Sequence, residues 1–126
     1  MIRIFEIMED ISNKEDISIF VDAFYDKIKH DQLLGPIFFG AIKGDWQPHL
    51  ERMYAFWDSV LFRAPGFTGN PFAKHATLRI GQEHFDQWLL LFNETIDSHF
   101  AGPVADDAKQ RAVLIGKIFV SRLEGL

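Results

Sequence analysis

Apolar side chains recur along most of this chain at the three-and-four spacing of an amphipathic helix. Ile17, Phe20, Val21, Phe24, Tyr25 and Ile28 fall at i, i+3, i+4, i+7, i+8 and i+11, which makes one continuous face. The pattern predicts a helix starting at Ser12, whose hydroxyl can form a capping box with Glu15 three residues on. That helix must end before Gly35-Pro36, because the residue preceding a proline is pushed out of the helical region. A short helical turn then carries Ile37, Phe38, Ala41 and Ile42, and Gly44 breaks it. Asp45 is placed to cap the next helix, with Pro48 tolerated in its first turn. There His49, Met53, Phe56, Trp57 and Val60 trace a second inward face.

The stretch from Arg63 to Pro71 reads as a loop from its glycines and prolines. After Gly81, the run Phe85, Trp88, Leu89, Phe92, Ile96 and Phe100 forms the cleanest stripe in the sequence, stopped by Ala101-Gly102-Pro103. The last helix is expected from about Asp106, with Ala108, Ala112, Ile115, Phe119 and Arg122 down one side and Leu114 and Ile118 beside them. Only Ile2 to Phe5 alternate as a strand does, and four residues cannot build a sheet. The expectation is an all-α single domain over residues 1–126, with no repeat or linker. A long irregular loop in a compact helical domain is often functional, which draws attention to 63–71.

Composition narrows the chemistry. Hydrophobic residues make up 48% of 126, and 13 Phe with 3 Trp supply an unusually aromatic core. The chain has no Cys, which excludes disulfides, thiolate metal sites, cysteine nucleophiles and covalent haem attachment through Cys-x-x-Cys-His. A net charge of −5 argues against a dedicated nucleic-acid binder. No stretch is long and apolar enough for a membrane span, and the N-terminus lacks a secretory signal pattern, so a soluble cytoplasmic protein is expected.

Three inward faces carry side chains with hydrogen-bonding heads: Tyr25, His49 and Trp88. His75 stands apart in the run Asn70-Pro71-Phe72-Ala73-Lys74-His75, thirteen residues before Trp88 and between a loop and an aromatic-lined helix. A haem iron needs one neutral imidazole nitrogen, and its porphyrin needs apolar walls. A diatomic ligand on ferrous iron carries partial negative charge, so phenol, indole or imidazole donors stabilise it, each by about 1.5–3 kcal/mol.

Each residue also has a plainer reading. Tyr25 can be a core tyrosine bonded to a backbone carbonyl, Trp88 a core indole, and His49 a solvated first-turn residue. His84 and His99 are expected to face solvent or cap helix ends, and His30 suits a helix C-terminus. No His-x-x-x-His or Glu-x-x-His pair supplies a zinc or di-iron centre, and there is no phosphate loop or nucleophilic serine motif. Joint occurrence in order favours the haem reading.

The motifs in order are Phe24-Tyr25, Leu34-Gly35-Pro36-Ile37-Phe38, Trp46-x-x-His49 and Phe56-Trp57. They continue with Asn70-Pro71-x-x-Lys74-His75-x-x-Leu78 and Phe85-x-x-Trp88-Leu89-x-Leu91-Phe92. With these the chain resembles the truncated haemoglobins, specifically group III, over nearly its whole length. The glycine pairs typical of the other truncated groups are missing, as group III would show.

The resemblance implies a two-over-two helical sandwich around non-covalent haem b, with His75 as the iron ligand. It implies that Tyr25 and Trp88 donate hydrogen bonds to the bound ligand and that His49 sits at the distal gate. Phe38, Met53, Leu78, Phe85 and Phe92 would line the slot, and Arg52 and Arg79 would reach the haem carboxylates. The expected ligands are O2, NO, CO or peroxide. Two donors predict high affinity and slow release, suited to NO or peroxide detoxification fed by an external reductase. The alternatives are a non-catalytic O2 or NO sensor or scavenger, and a cofactor-free helical interaction module.

Overall fold

The computed structural model describes residues 8–65 and 80–124, the side chains of residues 119 and 121–124 excepted. The described residues form five α-helices and no strand: α1 Lys14–His30, α2 Leu34–Ala41, α3 Gln47–Phe62, α4 Gln82–His99 and α5 Pro103–Glu124. The Ile2 to Phe5 alternation and the segment carrying His75, Leu78 and Arg79 lie outside the described residues. Helix α1 packs on α2, α3 and α4, while α4 packs on α5 and α3 also meets α5. The α1/α3 pair thus lies over the α4/α5 pair, a two-over-two sandwich.

Each stripe turns inward as its spacing predicts. Phe20, Ile17, Val21 and Ile28 of α1 are completely buried, and so are Phe92 and Ile96 of α4. Thr95 is the buried polar residue among them, and its hydroxyl donates to the Leu91 carbonyl one turn back at 2.7 Å. On α5, Ala108 and Ala112 are buried, whereas Leu114 and Ile118 are exposed. Small residues on the inner side of α5 let it approach α4 closely, and the bulky pair falls outside that contact.

Helix starts depart from the local reading in three places. Helix α1 begins one residue later than a Ser12 cap would set it: the Asn13 side chain accepts the Asp16 N–H at 2.9 Å. The Asp16 carboxylate reaches back to the Ser12 N–H and hydroxyl, so the reciprocal pair uses Asp16 and not Glu15. Helix α5 begins at Pro103, three residues before Asp106. Its cap comes from the other end of the chain, where the two oxygens of Asp10 accept the N–H groups of Val104 and Ala105 at 2.9 and 2.8 Å. Gly102 stands against that carboxylate at a φ of +145°, and a Cβ there would lie 2.5 Å from the Asp10 Cγ. Only glycine fits both the backbone angle and the space.

Other polar ties lock the helices that frame the cavity. One oxygen of Asp31, just past α1, accepts the Leu33 and Leu34 N–H groups and so caps α2. Its other oxygen accepts the Gln87 side chain of α4 at 2.7 Å. The Tyr54 hydroxyl of α3 donates to the Asp22 carboxylate of α1. Helix α3 opens on Trp46, one residue past the expected Asp45 cap, though the Asp45 carboxylate still accepts the Gln47 N–H at 3.0 Å. Among the described residues no helix is long and apolar enough to cross a membrane.

Candidate functional site

The four helices around α1 border an open cavity, with about 840 Å³ of empty space when the open solvent at its mouth is included. Its walls come from every element: Phe24 and Tyr25 of α1, Leu34, Ile37 and Phe38 of α2, and His49, Met53, Phe56 and Trp57 of α3. Ile80, then His84, Phe85 and Trp88 of α4, and Ile115 of α5 complete it. The spacing explains the convergence. His49, Met53, Phe56 and Trp57 stand at i, i+4, i+7 and i+8 on one face of α3, and His84, Phe85 and Trp88 share a face of α4. No described wall residue is an Asp, Glu, Lys or Arg.

Polar groups are few and concentrated. The Tyr25 ring is 7% exposed and meets His49 edge-to-face, with centroids 5.1 Å apart and planes at 86°. Phe24 joins the Tyr25 and Trp88 sides of the wall, at 5.2 Å from the phenol and 5.5 Å from the indole. Burial raises the Tyr25 phenol well above its ordinary ionisation range, because the phenolate would lose its hydration. The group is therefore a neutral O–H donor. Neither this hydroxyl nor the Trp88 indole N–H makes a hydrogen bond to another described residue. The core-tyrosine reading, with a backbone carbonyl as partner, does not describe Tyr25 within that set.

Trp88 is held from behind. Phe92 lies between two indoles, 5.7 Å from Trp88 at 13° and 5.0 Å from Trp57 at 21°. Such offset stacks add about 0.5–1.5 kcal/mol beyond area burial. Phe92 was expected on the slot wall, but it is completely buried in the layer behind that wall. A position four residues past Trp88 lies one turn deeper along the same stripe, so the indole shields it.

Of the other expected residues, Phe38, His49, Met53 and Phe85 line the cavity. Arg52 is exposed and is not a described wall residue. His75, Leu78 and Arg79 lie outside the described residues. His30 sits in the last turn of α1, where a partial positive charge is favourable. His84 does cap its helix, its Nδ1 accepting the Gly81 N–H at 2.9 Å, yet it also lines the cavity. Its position one turn before Trp88 is the sequence signal that its expected solvent or capping role overlooked. Ile37 and Ile115 were legible as stripe positions but not as wall residues.

Chemically, this is a slot for a large apolar group with two uncharged donors for a small acceptor ligand. Haem passes that test on donor set and wall character, since a porphyrin needs apolar contact and its ligand needs phenol or indole N–H or O–H groups. Among the described residues no group of three His, Cys, Asp or Glu could hold a bare metal ion.

Comparison with known proteins agrees with this architecture. The bacterial-like globin family matches residues 6–115. A group 3 truncated haemoglobin of Campylobacter jejuni is 33% identical over 115 residues, covering 88% of this chain and 91% of the relative. The crystal structure of a group III truncated haemoglobin from Campylobacter jejuni superposes with a TM-score of 0.85 at 32% identity, over 93% of this chain and 95% of the other. A truncated oxygen-avid haemoglobin from Bacillus subtilis, at 22% identity and a TM-score of 0.74 over 86% and 93% of the two chains, shares the fold. The matched family extent and the group III relatives together show that the chain belongs to the bacterial-like globins, as a group III truncated haemoglobin, a family of haem-based ligand binding.

Proposed function

We propose that the cavity binds haem b non-covalently with His75 as the protein ligand to iron, and that the protein takes up O2 tightly and releases it slowly. The observation that carries this reading is the Tyr25 hydroxyl. It is a buried neutral donor on an apolar wall, with no hydrogen bond to another described residue. When bound, haem supplies an iron that takes up diatomic ligands and can change oxidation state.

The chain's own residues then set the release rate. Tyr25 and Trp88 donate to the acceptor atoms of the held ligand, and escape requires both bonds to break. Each ~1.4 kcal/mol of added stabilisation slows dissociation about tenfold. His49, edge-on to the phenol, gates entry, while Phe38, Met53, Leu78 and Phe85 exclude water from the slot. Slow release suits chemistry on a held ligand better than carriage. NO oxidation or peroxide activation fits, with electrons from a separate reductase.

The test is the absorption spectrum of protein expressed with haem supply, wild type beside His75→Ala. A Soret band that collapses in the variant and returns with free imidazole supports the assignment. A wild type that is helical yet has no Soret band overturns it and leaves the aromatic faces as core alone.

A further inference from the structure

We propose that Lys29 is a positioning residue for ligand binding, whose ammonium holds the Trp46 indole against the Tyr25 phenol and so restrains the Tyr25 hydroxyl; the ligand role rests on the haem reading above. Tyr25 and Lys29 stand at i and i+4 of α1, one turn apart on the same side of the helix. Trp46 is the residue on which α3 opens, and it is buried. Its indole meets the Tyr25 ring edge-to-face, with centroids 6.3 Å apart and planes at 74°. The Lys29 Nζ lies over the same indole, 4.7 Å from the ring centroid. A cation over an aromatic face is attracted by the electron-rich ring, and tryptophan is the strongest partner for it.

The indole depends on such contacts for its orientation. Its N–H makes no hydrogen bond to another described residue, so no directional bond within that set fixes the ring. Phe39 of α2 lies beside it at 5.1 Å, but Phe39 is itself exposed. Lys29 is half-buried and makes no ion pair with another described residue, whereas Lys14, Lys27 and Lys109 each meet a carboxylate. The Tyr25 phenol is restrained in the same non-directional way. Phe24, Phe38, Trp46 and His49 all meet it edge-to-face, and its hydroxyl makes no hydrogen bond to another described residue. His49 follows Trp46 by three residues, so the start of α3 brings both rings to the phenol. A shift of the indole therefore loosens a donor on the cavity wall, although Lys29 is not itself a described wall residue.

The test reads the phenol directly. The protein holds two tyrosines, so ring-labelled tyrosine gives one set of NMR signals for Tyr25 and one for Tyr54, and Tyr25→Phe assigns them. Lys29→Met removes the charge and keeps an unbranched apolar stem. It is expected to move the Tyr25 signals, which the neighbouring indole shifts, and to leave Tyr54, bonded to Asp22 two turns earlier on α1, in place. In the CO-free, haem-loaded protein it is expected to release O2 about threefold faster. Lys29→Arg, whose guanidinium also stacks on an indole, is expected to restore both readouts. In a Tyr25→Phe background Lys29→Met is expected to leave O2 release within about 1.5-fold, because the effect runs through the hydroxyl. Tyr25 signals at their wild-type positions in Lys29→Met, or an undiminished acceleration in the Tyr25→Phe background, overturn the positioning role while leaving haem binding intact. A wild type that takes up no haem overturns the haem reading and this ligand role with it.

Discussion

The Tyr25 phenol and the His49 imidazole meet edge-to-face at 5.1 Å, which places the hydroxyl-bearing ring of α1 against the first turn of α3 at the cavity wall. Packing and hydrogen bonding can therefore be separated at this position. Tyr25→Phe keeps the ring contact and removes only the O–H. In the haem-loaded protein its O2 dissociation is expected to quicken tenfold or more, about 1.4 kcal/mol or more of lost stabilisation. Stopped-flow displacement of O2 measures it, and an unaltered rate would sink the two-donor account.

Alkaline stability follows from the same phenol. Burial pushes Tyr25 up from the ordinary value of 10.0, so the folded state keeps a proton that the unfolded chain gives up near that pH. The native state then binds more protons than the unfolded state, and stability falls as pH rises. The contribution is complete below pH 10.0 and is lost above it. Tyr54, pushed up to about 12 by partial burial and by the Asp22 carboxylate, adds to the same decline. Urea midpoints measured from pH 9 upward (about one unit below the ordinary phenol value) are expected to drop less steeply in Tyr25→Phe than in wild type. Parallel slopes would show that this phenol ionises freely in the folded protein.

Asp10 and Gly102 form a coupled pair. Asp10→Ala removes the acceptor for two N–H groups of α5 and is expected to cost about 1–2 kcal/mol. Gly102→Ala meets both a backbone angle unfavourable to alanine and the Asp10 side chain, for a larger loss. In the Asp10→Ala background the Cγ and Oδ2 contacts at 2.5 and 2.7 Å are gone, while the Cβ contact at 2.7 Å and the backbone strain are left. The double variant should thus be more stable than the sum of the two losses predicts, by a margin that denaturant unfolding can resolve. Strict additivity would count against the contact.

Asp31 serves two helices through its two oxygens, whereas Gln87 makes one of those contacts. Gln87→Ala should cost about 0.5–1.5 kcal/mol, the worth of a single net hydrogen bond. Asp31→Ala should cost more, since α2 also loses its N-terminal cap. Because α2 carries Leu34, Ile37 and Phe38 of the cavity wall, Asp31→Ala is further expected to release haem faster than Gln87→Ala. Thermal melts and haem-release traces on the two variants give both orderings.

Sequence by itself determined the helices, their inward faces and the family, because these rest on local periodicity and on motifs in fixed order. It also named Tyr25, His49, Met53, Phe38, Phe85 and Trp88, all of which converge on one cavity. Tertiary structure decided what depends on residues distant along the chain. The start of α5 was set by Asp10, more than ninety residues away, which no local signal near Asp106 could reveal. Phe92 and Trp88 share one stripe, yet only packing against Trp57 places the first behind the wall and the second on it. His84 reads locally as a capping histidine and is one, but the assembled helices make it a wall of the cavity as well. Period reports which side of a helix is buried; what buries it is a property of the assembled fold.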